Sequence, residues 1–393
     1  MTPAATLPSQ IDRIQRVSLM LGILLLGVCV GAAFVFPAQF FKSYLLAFLF
    51  WVSLALGSFA VLMLHHMFHA GWGFVIQRML ESGTRTFLLM AVLFVPLLFG
   101  LHSLYEWTHT DAVAADPVLL HKQPYLNVPF FIARTVLYFV LWIGAAFFLN
   151  RWSLQLDQSG SPALAQRLEN VSAPGLLLYG LTVTFASIDW MMSLEPHWYS
   201  TIYGLLFIGG QVLATLAFVI IVAMLLSDQK PLADVVRPSH FHDLGNLLFA
   251  FVMIWAYLDF SQFLITWSGN LPAEITWYSR RIGGGWQYLA LALVVLDFAL
   301  PFVLLLSRRT KRRAHALALV AGLILVMRLV DLYWMVTPAF HPSGLSVHWM
   351  DVLLPVGMGG IWVAYFVHQL KSRPILPLRD PRMVEAFEHA EGH

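Results

Sequence analysis

Ten apolar runs, each close to twenty residues long, constrain this chain more than any other feature. A bilayer core is crossed by about 20 apolar residues in a helix, because lipid offers no partner to an unpaired backbone N–H or C=O. The runs fall near residues 17–36, 44–64, 86–104, 129–149, 174–192, 201–226, 244–267, 285–306, 315–336 and 349–370. Composition agrees, with 59% hydrophobic and 11% charged residues, against about 25% charged in soluble domains. The expected fold is an all-α integral membrane protein with ten transmembrane helices. Residues 1–16 then form a polar N-terminal segment, 17–370 the membrane domain and 371–393 a short polar, extended tail. Pro37, Pro129, Pro174, Pro231 and Pro338 read as markers of span ends. Pro96, Pro301 and Pro355 read as kinks within spans. Residues 1–16 show no cleavable-signal pattern.

Charge sets the orientation. Of the 23 Lys and Arg residues, seventeen fall on the side of the termini and four on the other. Both termini are therefore expected in the cytoplasm. These basic residues are a topology signal, and no nucleic-acid partner is expected. The run Arg308 to Arg313 reads as a stop-transfer flank in preference to a specific lipid site. The single cysteine, Cys29, excludes a disulfide within the chain, a Cys-ligated iron–sulfur cluster and a C-x-x-C-H haem attachment. Any redox centre would sit on other chains. The largest loop, near 105–128, carries Glu106, His109, Asp111, Asp116 and His121 and offers a docking face for a partner. Gly283 to Gly285 lead into the eighth span and lack the Lys-Ser/Thr of a phosphate-binding loop.

Polar chemistry is densest from Ile188 to Gly204. Asp189 ends the fifth run, and Glu195, Pro196 and His197 form a short turn. Trp190, Trp198, Tyr199 and Tyr203 around them read as an interfacial aromatic belt. An Asp at a helix centre costs about 2.5–3.5 kcal/mol on insertion scales, so ionisable groups in spans point to function. The plainer alternative is an interfacial turn with a solvated acid. Tyr179, Thr182, Ala186, Asp189 and Ser193 share a helix face, as do Trp255, Asp259, Gln262 and Thr266. Arg328 and Asp331, three apart in the outer half of the ninth span, are placed to pair. His348 and Asp351 open the tenth span from outside. Asp297 stands alone in the inner half of the eighth, one turn before Pro301.

Stripes of this kind suit a proton relay. The expected path is Asp189, Glu195, His197, Asp259, Asp297, Arg328, Asp331 and Asp351, with structural ion pairs and neutral packing acids as the plainer reading. His65, His66 and His69 close the second span on the cytoplasmic side, as a proton inlet or as ordinary interface histidines. His65 and His69 also have a spacing suited to metal or haem; His102 near the opposite surface is a poor second axial ligand, His242 on the cytoplasmic side could face them, and no metal is expected. His102, Asp189, His197 and Tyr199 form an alternative set for a quinol site near the outer surface.

Three stretches carry a family resemblance. They are Phe185 to Gly204 (FASIDWMMSLEPHWYSTIYG), His69 to Glu81 (HAGWGFVIQRMLE) and Asp259 to Glu274 (DFSQFLITWSGNLPAE). Together they resemble the membrane subunits of bacterial alternative complex III, a quinol-oxidising respiratory complex. The third stretch looks most like the smaller of its two homologous membrane subunits, the ActF type. That family is similar to NrfD and polysulfide-reductase membrane subunits. The resemblance implies two four-helix bundles, spans two to five and six to nine, flanked by spans one and ten. It implies a bacterial inner-membrane location, with a multihaem cytochrome c, an iron–sulfur subunit and a larger homologous membrane subunit as partners. Haems and iron–sulfur clusters would belong to those partners, quinol to the larger membrane subunit, and assembly or a proton route to this chain. A secondary transporter with broken helices around a midplane site is the reading from a different class.

Overall fold

A computed structural model describes residues 9–68, 70–377 and 379–383. Ten helices in it are long and apolar enough to cross a membrane: Ile11–Ala33, Pro37–Phe68, Gly71–Phe99, Val128–Ser159, Pro162–Leu194, Tyr203–Leu226, Pro238–Gly269, Trp286–Leu306, Ala314–Ala339 and Met350–Lys371. They are called the first to tenth spans below. Among the described residues there is no strand. The chain is an all-α, multi-pass membrane protein. The start of the first span meets the end of the tenth, where Lys371 pairs with Asp12 and donates to Gln15 at 3.0 Å. That end is the terminal face, and the opposite end the far face.

The second span packs on the third and fifth, and the fifth on the fourth. The sixth packs on the seventh and ninth, and the ninth on the eighth. These contacts make two four-helix bundles, joined through the second and sixth spans. The second span is apolar all round and accordingly sits in the middle, with 94% of its most apolar stretch buried. At the seam Gly57 brings two backbones together. A Cβ there would lie 2.2 Å from Thr215 Oγ1 and 2.3 Å from the Gln211 carbonyl, the close approach that small residues allow between membrane helices. The first span packs chiefly on the tenth. Gly22 and Gly360 make that contact tight, since a Cβ on Gly360 would lie 2.4 Å from the Ser18 carbonyl.

Several expected boundaries move. The first helix starts at Ser9, inside the segment expected to be a polar lead, and residues 1–8 of that segment lie outside the described residues. The third span begins at Gly71, not near 86. Its two helices, Gly71–Thr84 and Phe87–Phe99, join at Arg85 and Thr86. Residues 71–84 carry Gln77, Arg78 and Glu81, which lower the apparent hydropathy yet are buried. Pro174 lies within the fifth helix, which starts at Pro162 after left-handed Gly160 (φ 62°) ends the fourth. The tail is not extended as far as it is described. Ile375, Leu376 and Met383 are buried, and Arg379 donates to the Gln158 carbonyl. The rest of the expected tail, 384–393, lies outside the described residues.

The aromatic belt is also corrected. Trp190, Trp198 and Tyr203 are core residues, and only Tyr199 is exposed. Trp190 packs edge-on against Phe48 and Trp142, at 5.6 and 5.9 Å between ring centres.

Candidate functional site

The second bundle gathers charge around Arg328. The ninth span sets Arg328 and Asp331 one turn apart, and the two pair directly. The eighth span supplies Asp297 from a wide turn. Leu293–Ala299 is wound as π-helix just before Pro301. Pro301 has no N–H for the Asp297 carbonyl four residues earlier, and its ring crowds that carbonyl. A wider i to i+5 turn is one of the usual ways a helix absorbs such a conflict. Arg328 Nη1 then donates to Asp297 Oδ2 at 2.8 Å, and its guanidinium lies 4.7 Å from the Trp255 ring centre. Asp297 is therefore neither isolated nor set apart in the inner half. The sequence separates it from Arg328 by 31 residues, so no local spacing reveals the pair.

Asp259 of the seventh span lies within electrostatic reach of Asp331, Arg328 and Asp297. Among the described residues Asp297 Oδ1 is buried without a hydrogen-bond partner, as is Gln211 Nε2. Gln211 Oε1 accepts from the Tyr179 hydroxyl at 2.7 Å. A cavity of about 10 Å³ lined by Ser53, Gln211, Arg328 and Asp331 lies between the bundles, room for about one water.

The other expected acids sit toward the far face with partners of their own. Asp189 is fully buried, so the solvated-turn alternative does not hold for it. Arg134 grips it with two bonds, Nε to Oδ2 at 2.9 Å and Nη2 to Oδ1 at 2.8 Å. Tyr138 donates to Oδ2 at 2.7 Å, and the Tyr125 and Phe130 rings lie 3.8 and 4.2 Å from the guanidinium carbon. Glu195 accepts from Arg281 at 2.8 Å and lies 3.4 Å from Arg280. Burial pulls the Arg281 guanidinium below its usual range, with Glu195 opposing. Arg281 also donates to the Trp277, Trp334 and Met335 carbonyls. Asp351 accepts from Ser43 at 2.5 Å, from Gln39 at 3.2 Å and from the His348 N–H at 2.9 Å, so it ties the start of the tenth span to the second.

His197 lies 2.5 Å from Asp116. That hydrogen bond, helped by the Val118 and Leu119 N–H groups, holds the Asp116 carboxyl below its ordinary value. Of the alternative quinol set, exposed His102 stacks on His109 at 3.7 Å between ring centres. Tyr199 has the Lys122 ammonium 5.9 Å from its ring centre. His102, Asp189, His197 and Tyr199 thus hold four different sets of partners.

Near the terminal face lies a cluster the sequence reading missed. Glu81 accepts from Ser153 and Arg78, each at 2.6 Å, from Gln77 at 3.0 Å and from Arg373 at 3.1 Å. Arg78 also pairs with Asp157. His65 Nε2 lies 3.2 Å from Gln77 Oε1. His65 and His66 are buried; His69 lies outside the described residues. The available signal was the Arg78–Glu81 spacing of three within the stretch that carries the family resemblance. Among the described residues no group of three or more His, Cys, Asp or Glu has the arrangement of a metal site.

These features define a ten-span integral membrane protein whose buried arginines are shared among carboxylates inside two helical bundles. No protein-family model matches the chain, and no curated protein matches it either.

Proposed function

We propose that this chain is a non-catalytic integral subunit of a quinol-oxidising membrane complex of the alternative complex III kind. It holds the complex together and carries protons through its second bundle. The Arg328 cluster carries this reading. Asp297 and Asp331 both bond to the Arg328 guanidinium, Asp259 lies within electrostatic reach of it, and Asp297 Oδ1 has no hydrogen-bond partner among the described residues. Three ionised carboxylates against one cation would leave a surplus of two negative charges. An uncompensated charge in a dry interior costs several kcal/mol, so bound protons are the economical counter-charge. The adjoining one-water cavity, Gln211 and Tyr179 extend the polar track toward the first bundle.

In this reading the termini lie in the cytoplasm of a bacterial inner membrane. The His65–Glu81 cluster then faces inward, and Asp189 and Glu195 face outward. The single cysteine supports placing redox centres on partner subunits: a multihaem cytochrome c, an iron–sulfur subunit and a larger membrane subunit that takes the quinol. The separate partners of His102, Asp189, His197 and Tyr199 lend no support to a second quinol site here.

Asp297→Asn keeps the side chain's size and one acceptor for Arg328 while removing its proton. In reconstituted intact complex it is expected to lower protons moved per electron and to slow turnover. An unchanged ratio together with unchanged turnover would sink the proton role. One observation favours a transporter instead, the mid-span π-turn beside buried acids. Solute uptake by the chain alone in liposomes would replace the complex-subunit reading.

A further inference from the structure

Between the third, fourth and tenth spans, near the terminal face, lies a cavity of about 470 Å³, within the usual size of a ligand site. Arg85, Arg151 and Arg373 line it, and no carboxylate does. The three guanidiniums are under-neutralised. Among the described residues the Arg85 guanidinium donates only to the Gln369 carbonyl at 3.3 Å and to Ser372 Oγ at 2.8 Å. Arg151 is exposed and has no hydrogen bond or ion pair among the described residues. Arg373 reaches Glu81 at 3.1 Å, but Arg78 already holds that carboxylate at 2.6 Å. The lining changes character with depth. Leu88 follows Arg85 by three residues along the third span. Phe147 and Ile143 precede Arg151 by four and eight along the fourth, which is about 6–12 Å deeper at 1.5 Å per residue. Leu88 and Phe147 are 59% and 56% exposed on the outside of the bundle, so the cavity opens sideways toward acyl chains.

The geometry points to a binding site for one anionic phospholipid. Its phosphate sits among Arg85, Arg151 and Arg373, and an acyl chain lies along Leu88, Ile143 and Phe147. Basic pockets between membrane helices take acidic headgroups by this combination of charge and apolar groove. A free phosphate ion would use the three arginines but has no use for the apolar strip. The inference rests on this cavity alone and stands apart from the proposed proton role.

The test is native mass spectrometry of the detergent-solubilised full chain, titrated separately with phosphatidylglycerol, phosphatidylcholine and inorganic phosphate. Phosphatidylglycerol is expected to bind as one tight copy, and phosphatidylcholine more weakly. Arg151→Gln should weaken the acidic lipid about tenfold or more, the worth of one charge-assisted hydrogen bond. Arg151 is exposed and has no hydrogen bond or ion pair among the described residues, so this variant keeps its fold. Arg309→Gln, in the separate basic run, should leave binding unchanged. Leu88→Asp should weaken the lipid as well. Equal affinity for the two lipids, an unchanged Arg151→Gln, or displacement of the lipid by millimolar phosphate would each overturn the assignment.

Discussion

At the scale of single residues, burial of a guanidinium here depends on how many of its donors are answered. Arg134 meets both oxygens of Asp189 and the Tyr125 carbonyl, at 2.8–2.9 Å. Removing one partner of such a pair leaves the other charge buried and alone, which costs about 3–5 kcal/mol. Arg134→Gln is therefore expected to destabilise the protein by that order. Asp189→Asn should cost less when introduced into Arg134→Gln than into the wild type, because the coupling has already gone. Thermal unfolding of the two single variants and the double in one detergent reads this directly; additive losses would contradict it. The sequence made part of this chemistry readable. Asp189, Arg328 and Asp331 stand out as charges within apolar runs, and the Arg328–Asp331 pair follows from a spacing of three. Arg134 was equally visible as a charge in a span, but its partner is 55 residues away. A pairing set by the packing of two helices leaves no local trace.

At the scale of elements, hydropathy located all ten spans and misjudged their ends. It missed the first half of the third span because Gln77, Arg78 and Glu81 read as loop residues, whereas they bond to one another and to Ser153 inside the bundle. It made a belt of aromatics that are core, because the period of a helix cannot tell lipid from a neighbouring helix. On the far face two short elements are held by an ionisable bond. The helix Pro117–Lys122 is capped by Asp116, which accepts from the Val118 N–H at 2.8 Å and, on its other oxygen, meets His197 from the turn after the fifth span. Asp116 titrates below its ordinary value of 3.8 because of these bonds. A carboxyl depressed on folding stabilises the folded state above its unfolded value, and that contribution fades as pH falls through the folded value. Hydrogen exchange of the 117–122 amides should therefore be faster in Asp116→Asn than in wild type near neutral pH. The two should converge only as pH falls below 3.8 and through the lowered value of the folded carboxyl, where Asp116 becomes protonated in both states. A difference that persisted unchanged into acid would remove the carboxylate from the explanation.

At the scale of the whole molecule, the two bundles meet where the proposed proton track would have to cross. The seam runs along the second and sixth spans, and the Gly57 contact with Gln211 and Thr215 sets its spacing. Gln211 also lines the small cavity beside Arg328 and accepts from Tyr179 of the first bundle. One glycine thus fixes both the distance between the bundles and the register of the polar groups across it. A side chain at Gly57 meets backbone, which cannot swing aside, so relief requires the helices to part. Overpacking of a tight core costs about 1–3 kcal/mol and occasionally more. Gly57→Leu should lie at or above the top of that range, while Gly144→Leu, where a Cβ meets nothing within 4 Å, should change stability by only about 0.5 kcal/mol. If the track crosses this seam, Gly57→Leu should also slow proton transfer in intact complex even where enough folded protein survives to assay. Equal melting of the two leucine variants would mean that the bundles are not held together at Gly57. A destabilised Gly57→Leu complex with normal proton transfer would instead confine the track to the second bundle, around Arg328 alone.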